Sequence, residues 1–207
     1  MCTLQPFYKL LEVGMRLSIN QEKTLLLALC APLFAGAHLL NGWLFQQFEL
    51  SAHISWIYLP AFLRVAYVLV LGPIWGFLTL FIGGMLLGGG LDENLLQALT
   101  NASASALGPV LALRLFMVLK ERSLQISRLS DLIQMCVLYA LLNALVHHVA
   151  WAYNQPTQLL SASQLPIMVI GDLAGAVLGA LLFTFTMRRL GLYQVMTRLS
   201  QEEQEQA

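Results

Sequence analysis

Long apolar runs separated by short polar connections dominate this chain. Six runs are long enough, or nearly long enough, for a helix to cross the hydrocarbon layer of a membrane, which takes about 20 residues. They lie at 24–45, 54–71, 74–89, 95–119, 132–153 and 164–187. The pattern predicts an all-α integral membrane protein, a bundle of about six transmembrane helices.

Composition agrees with this pattern. Of the 207 residues, 58% are hydrophobic and 11% are charged, whereas a soluble domain has about 25% charged residues. Eleven basic residues balance eleven acidic ones, so no net charge indicates a nucleic-acid partner. These values exclude a water-soluble enzyme, a nucleic-acid-binding domain and a disordered tail. The lipid bilayer is the first expected partner.

Basic residues are distributed unequally over the connections. They precede the first run, follow the sixth and occur at 120–128 between the fourth and fifth. They are absent from the other connections, at 46–53, 90–94 and 154–163. Because cytoplasmic segments carry the excess of basic residues, we expect both termini in the cytoplasm. The chain then divides into an amphipathic segment at 1–23, a transmembrane domain at 24–187 and a cytoplasmic tail at 188–207.

Aromatic residues near the ends of the predicted spans agree with this orientation. Aromatic residues cluster at the predicted outer interface, as in the aromatic belts of membrane proteins. They are Trp43, Trp56, Tyr58, Trp151 and Tyr153.

Cleavage of the first run as a signal peptide is disfavoured, because the 23 residues before it are long for the basic segment that precedes a signal sequence.

Two charged side chains, Arg64 and Asp172, interrupt the apolar runs. A charge at the centre of a spanning helix costs about 2.5–3.5 kcal/mol on insertion scales, so such residues face the bundle interior and find partners. Because the two lie at similar depth from the predicted outer end, we expect a salt bridge between them. The pair either stabilises the fold alone or also contacts a ligand.

Other polar residues at similar depth predict a polar chamber in the outer half of the bundle. Tyr139, Asn143, His147 and Trp151 recur every fourth residue and therefore share one helix face. The residues that we expect to line the chamber are Asp172, Arg64, His147, Asn143, His38 and Asn101. A metal site needs three or four convergent ligands, so neither a metal nor another cofactor is expected. The expected ligand is a small molecule or an ion.

Small residues recur every fourth position in the last run. Gly171, Gly175 and Gly179 form one smooth face, which predicts close packing with another helix. Alanines with the same spacing in the fourth run indicate that the fourth and sixth runs are neighbours.

The sequence indicates no enzyme. It contains no H-E-x-x-H, G-x-S-x-G, Walker or G-x-G-x-x-G motif. Intramembrane catalysis by His147 or His148 with Asp172 is the remaining enzymatic alternative, and nothing in the spacing requires it.

Two stretches resemble a known family. They are VLGPIWG at 70–76 and IGDLAGA at 170–176. The second is similar to the W-x-G-D-x-x-G signature of the first class of bacterial membrane-associated sensor (MASE) domains, although its tryptophan is missing. The resemblance covers about two thirds of the chain. It implies a bacterial inner-membrane protein in which Gly171, Asp172 and Gly175 are candidate functional positions.

The resemblance also implies a non-enzymatic sensor or regulator. The family usually has about eight spans and precedes a histidine kinase or cyclic-dinucleotide output domain. Neither feature is found in these 207 residues, so we expect signalling through a separate protein that contacts the basic loop at 120–128.

A second resemblance gives the alternative function. Six spans in about 200 residues, with Pro60 and the 70–76 stretch between the second and third, look like the substrate-binding S subunits of energy-coupling-factor vitamin transporters. Ala31 and Ala35 are similar to the small-residue face on which those subunits dock. This alternative implies a vitamin or another metabolite as ligand and a separate ATPase.

Overall fold

The structure is a computed structural model that describes residues 19–51, 54–90, 94–125, 128–154 and 164–189. The predicted N-terminal segment at 1–23 lies mostly outside these residues. The predicted tail lies outside them from residue 190 onward.

Helices account for almost all of the described chain. They are α1 (Ile19–Phe45), α2 (Pro60–Gly90), α3 (Leu95–Lys120), α4 (Leu129–Asn154) and α5 (Gln164–Arg189). A 3-10 turn (Gln46–Phe48) and two short antiparallel strands, β1 (Glu49–Ser51) and β2 (Ile54–Ser55), connect α1 to α2. By length and composition, five helices in the described ranges are able to cross a membrane. The predicted all-α fold is confirmed, and its five long apolar helices are compatible with a multi-pass membrane protein.

From residue 60 onward, the second and third predicted runs fall within one element, α2, which Gly72 interrupts. Gly72 has φ 82° and ψ 168°, a conformation that is essentially restricted to glycine. A Cβ atom on Gly76 would lie 2.7 Å from Cα of Val68, although eight residues of straight helix span about 12 Å. The two parts of α2, which we call α2N (60–71) and α2C (73–90), therefore fold back against each other.

The helical part of the second run begins later than predicted. Residues 54–59 form β2 and an irregular segment, and α2 begins at Pro60. Proline suits the first position of a helix and disfavours helical backbone in the residue before it. Oδ1 of Asn41 on α1 accepts from the N–H of Leu59 at 2.8 Å, and Nδ2 donates to the carbonyl of Ile57 at 3.2 Å. The Asn41 side chain thus forms hydrogen bonds with backbone groups that would be paired within a helix if this segment were helical. Backbone groups inside a membrane need such partners, because no water is there to bind them.

The glycine face of α5 packs against this non-helical segment. Cβ atoms on Gly171 and Gly175 would clash with the backbone carbonyls of Ser55 and Tyr58. In return, the N–H of Tyr58 donates to the carbonyl of Gly171 at 3.1 Å. The predicted close approach is present, but the prediction that this face meets the fourth run is wrong. Small-xxx-small spacing signals a close approach without specifying the partner.

The folded-back α2 is the centre of the bundle. It packs against α1, α3 and α5, while α4 packs against α3 and α5. Gly179 of α5 contacts the side chain of Phe62 on α2N, and Gly84 of α2C contacts Ala102 of α3. Large apolar side chains such as Leu33, which is 58% exposed, face outward. Apolar residues on the outside as well as the inside are typical of helices in lipid.

Candidate functional site

Arg64 of α2N and Asp172 of α5 meet inside the bundle. Both are almost fully buried, with 5% and 2% of their surface exposed. Nη1 of Arg64 lies 4.0 Å from Oδ1 of Asp172, which confirms the predicted pairing. The hydroxyl of Tyr139 on α4 accepts from Nη1 at 3.3 Å and donates to Oδ1 at 3.3 Å. The two charges are thus joined through a hydroxyl as well as by direct attraction.

Two further hydroxyls surround Arg64. Nη2 donates to Oη of Tyr58 at 3.0 Å and to Oγ of Ser105 on α3 at 2.8 Å. The guanidinium carbon also lies 4.7 Å from the ring centre of Tyr58 and 5.6 Å from that of Phe34 on α1, within the range of cation–π attraction. A hydroxyl that accepts from Arg64 still has its own proton to donate, so each one extends the network outward.

Two of these hydroxyls reach the predicted histidines. Oη of Tyr58 lies 2.9 Å from Nδ1 of His38, and Oγ of Ser105 lies 3.4 Å from Nε2 of His147. Nδ1 of His147 lies 2.9 Å from the carbonyl oxygen of Asn143. Because a carbonyl only accepts, Nδ1 of His147 carries a proton.

Asp172 has a second partner on α4. Nδ2 of Asn143 donates to Oδ2 of Asp172 at 2.6 Å, and Tyr139 donates to Oδ1. A Cβ atom on Gly108 of α3 would lie 2.7 Å from Oδ1 of Asn143, so the close approach of α3 and α4 fixes the position of Asn143. Both carboxylate oxygens are therefore hydrogen-bonded, which is what a buried charge needs.

These side chains surround a small chamber. Polar walls are contributed by Arg64, Asp172, His38, His147, Ser105 and Asn101. The chamber has a volume of about 40 Å³, which is room for ordered water or a small ligand. An adjoining cavity shares Ser55, Tyr58 and His38 with it and extends to Glu49 of β1.

Five of the six predicted chamber residues line this chamber, and Asn143 reaches it through Asp172. Oδ1 of Asn101 accepts from Nε1 of Trp151 at 2.7 Å. His148 lies outside the chamber lining, and its Nδ1 is 2.8 Å from the carbonyl of Ala144. Only one histidine of the adjacent pair therefore enters the chamber.

Of the three hydroxyl groups around Arg64, that of Tyr139 lies on the predicted helix face, whereas those of Tyr58 and Ser105 were not predicted in the chamber. Tyr58, predicted at the outer interface, is only 8% exposed, because its position before Pro60 lies on a non-helical segment that turns inward. Ser105 lies one helical turn after Asn101, so the depth argument applied to Asn101 could have identified it.

A second ion pair joins the two ends of the connection between α3 and α4. Nη1 and Nη2 of Arg122 donate to the two carboxylate oxygens of Asp131 at 2.6 and 2.8 Å. The N–H of Gln125 donates to the same carboxylate at 3.1 Å. The hydrogen bonds to Asp131 raise the pKa of the Arg122 guanidinium. Bidentate pairing fixes the planar guanidinium in place, so the connection is structured at this point.

The described residues contain no group of three or more His, Cys, Asp or Glu side chains arranged to hold a metal ion. In comparisons with known proteins, no family model, curated protein or solved structure matches this chain.

Proposed function

We propose that this chain is a multi-pass protein of the bacterial inner membrane that acts as a non-enzymatic sensor or regulator. It binds a small molecule or an ion in the chamber and acts through a separate protein. The observation that carries the proposal is the buried Arg64–Asp172 network around a chamber that can hold a ligand. Ionisable residues inside a spanning bundle are costly and indicate a functional site by default.

A path with six crossings, in which α2N and α2C each cross the membrane, fits the contacts of α1. Nζ of Lys23, near the start of α1, lies 5.9 Å from the ring centre of Trp75, just after the Gly72 break. Near the other end of α1, Asn41 binds the backbone of Leu59. These contacts support a turn of α2 at the level where α1 begins.

Charge supports cytoplasmic termini. On a path with six crossings, Lys23, Lys120 and Arg128 lie at the end of the bundle that holds the Gly72 turn and the α3–α4 connection. The connections at 46–53, 90–94 and 154–163 contain no basic residue. Under the positive-inside rule, the chamber then lies in the outer half of the bundle.

Chamber size favours the sensor over the transport subunit. A vitamin has many more non-hydrogen atoms than a chamber of about 40 Å³ accommodates. The substrate-binding subunit of a vitamin transporter therefore has less support than a protein that responds to a small ligand.

The α3–α4 connection is the proposed contact with the partner. Arg122 is already bound to Asp131, whereas Lys120 and Arg128 are exposed. These two basic side chains are therefore free to attract an acidic surface on a cytoplasmic effector, an interaction that raises the association rate.

Partner capture tests the proposal. The wild type and the variant Lys120→Gln/Arg128→Gln would be crosslinked in cells and purified, and the attached proteins would be identified by mass spectrometry. We expect a cytoplasmic effector with the wild type and its loss with the variant. Lys23→Gln, which removes a basic residue of the same end, is the matched control. Recovery of an ATPase with its membrane coupling protein would support the transport alternative. Capture of the same effector by the wild type and by the Lys120→Gln/Arg128→Gln variant would contradict the proposed contact.

A further inference from the structure

His38 of α1 lies between the chamber and the adjoining cavity. Its side chain is partly buried and contributes to the lining of both spaces. Among the described residues, the lining of the adjoining cavity includes one carboxylate, that of the exposed Glu49, and no lysine or arginine. A cleft with charge of one sign concentrates ions of the opposite sign. This cavity therefore favours the approach of a cation to His38.

The imidazole of His38 begins a chain of polar contacts that ends at Asp172. Nδ1 lies 2.9 Å from Oη of Tyr58, and the same Oη accepts from Nη2 of Arg64 at 3.0 Å. Nη1 of that guanidinium reaches Asp172 directly at 4.0 Å and through the hydroxyl of Tyr139. A separation of 2.9 Å between nitrogen and oxygen leaves room for a hydrogen alone. The cation that fits between His38 and Tyr58 is therefore a proton.

Neutral His38 completes the pairing of the Tyr58 hydroxyl. The oxygen of this hydroxyl accepts from Arg64, so its own proton needs an acceptor. Among the described residues, Nδ1 of His38 is the acceptor within reach. A neutral ring with its proton on Nε2 supplies that acceptor, whereas an imidazolium carries a proton on both nitrogens and can only donate.

Protonation of His38 would direct two cations at one oxygen atom. Nδ1 of the imidazolium and Nη2 of Arg64 would both donate to Oη of Tyr58, which lies 2.9 and 3.0 Å from them. Like charges this close repel each other, and the proton of Tyr58 would lose its acceptor. Protonation therefore weakens the contact between Arg64 and Tyr58. The other hydroxyl partners of Arg64, Ser105 and Tyr139, lie on α3 and α4 and are retained.

The charged and titratable groups around His38 permit this protonation. Within the described residues they are Tyr58 before α2, Arg64 of α2N, Glu49 of β1, His147 of α4 and Asp172 of α5. Arg64 disfavours a second cation, but its charge is already paired with Asp172. Glu49 favours a cation in the cavity that it shares with His38. Because His38 is only partly buried, its charged form avoids the full cost of an uncompensated buried charge.

We propose that the ligand of the sensor is a proton from the outer side of the membrane, which binds to Nδ1 of His38. Binding weakens the hydrogen bond between Tyr58 and Arg64, and Arg64 remains bound to α3, α4 and α5. The helices α3 and α4 are the two whose connection holds the proposed contact with the partner. This inference rests on the proposed sensor function and orientation, and it names the ligand.

Nuclear magnetic resonance of the full chain in lipid nanodiscs tests the inference. The protein would carry isotope labels in histidine and arginine, and the variants His38→Gln and Arg64→Lys would identify the two sets of signals by their absence. We expect the ring signals of His38 to change from the neutral to the cationic form between about pH 8 and pH 5. The guanidinium signals of Arg64 should shift with the same midpoint. Constant His38 signals over this range, or an Arg64 response with another midpoint, would overturn the inference.

Tyr58→Phe separates the proton site from its consequence. This variant keeps an aromatic ring beside His38 but removes the hydroxyl that joins His38 to Arg64. We expect His38 still to titrate and the pH response of Arg64 to be lost. His148→Gln removes a histidine that lies outside the chamber lining and is the matched control, with both responses unchanged. Should Tyr58→Phe fail to fold, the shared midpoint in the wild type still decides.

Partner capture at two external pH values separates this inference from the sensor proposal. Crosslinking would be done at about pH 5 and pH 8 in cells that hold their cytoplasmic pH constant. We expect the amount of captured effector to differ between the two values for the wild type and to be equal for His38→Gln. Capture that depends on Lys120 and Arg128 but not on external pH would overturn the proton as ligand and keep the sensor. A shared titration of His38 and Arg64 without a captured effector would keep the proton site and remove the regulatory role.

Discussion

Arg64 donates hydrogen bonds to hydroxyl groups that come from three separate parts of the chain: Tyr58 before α2, Ser105 on α3 and Tyr139 on α4. One side chain therefore joins elements that are far apart in sequence. Since a guanidinium has five N–H donors in a fixed plane, a lysine at this position could not reach the same set of partners.

The Arg64–Asp172 pair should be coupled in stability. Arg64→Gln and Asp172→Asn each leave one buried charge without its partner, and we expect each to lower the free energy of unfolding by about 3–5 kcal/mol. The double variant should recover part of the summed loss. Unfolding of the purified protein in detergent measures all four states of this cycle. Losses that simply add would mean that the two residues are not energetic partners.

Gly175 leaves no space for a side chain. Gly175→Ala would push a methyl group into the carbonyl of Tyr58, and overpacking of this kind costs about 1–3 kcal/mol or more. Gly36→Ala on α1 is the matched control, because a Cβ atom there meets nothing within 4 Å and alanine favours a helix interior by about 0.5–1 kcal/mol over glycine. Thermal unfolding of both variants measures the difference, and equal melting temperatures would argue against the contact.

At the scale of elements, the break between α2N and α2C depends on Gly72. Gly72→Ala would force alanine into a backbone conformation that is essentially closed to it, at a cost of about 1–3 kcal/mol. We expect a lower melting temperature than for Gly36→Ala, with the loss arising from the turn between α2N and α2C. A Gly72→Ala protein as stable as the wild type would show that the break does not need glycine.

The apolar pattern predicts the helices well but not the segment at 54–59. In lipid and in a bundle interior, hydropathy reports whether a residue avoids water and carries no information on whether its backbone is helical. The unwound segment needs Asn41 to pair its backbone and two glycines of α5 to make room. Those partners lie on two other helices, so a local pattern around Tyr58 cannot reveal them.

The site was predictable to the extent that depth and helix face determine it. Arg64 and Asp172 lie at a similar number of residues from the outer ends of their predicted spans, and the structure brings them together. The spacing of four residues on α4 puts Asn143 and His147 on one helix face, and both contact the same network. The hydroxyl of Tyr58 could not be placed, because its direction is set by the unwound backbone and not by a helical period.

At the scale of the whole molecule, the number of crossings is testable with two cysteines. In a background without Cys2, Cys30 and Cys136, we expect Gln47→Cys to react with an impermeant maleimide added outside spheroplasts. Ser123→Cys should react only after lysis, since six crossings put the two sites on opposite sides. If α2 crossed once, both sites would lie on the same side, and Ser123→Cys would react without lysis. Gly36→Cys, on a lipid-facing part of α1, is the unreactive control.

The separation of 4.0 Å between Arg64 and Asp172 also has an electrical consequence. A membrane potential acts on an elementary charge with about 2.3 kcal/mol per 100 mV across the full bilayer. Opposite charges so close together experience almost the same fraction of that field, so the work of moving them jointly along the membrane normal nearly vanishes. The Arg64–Asp172 pair is therefore electrically silent, whereas Asp172→Asn would leave at this site a single positive charge on which the membrane potential acts.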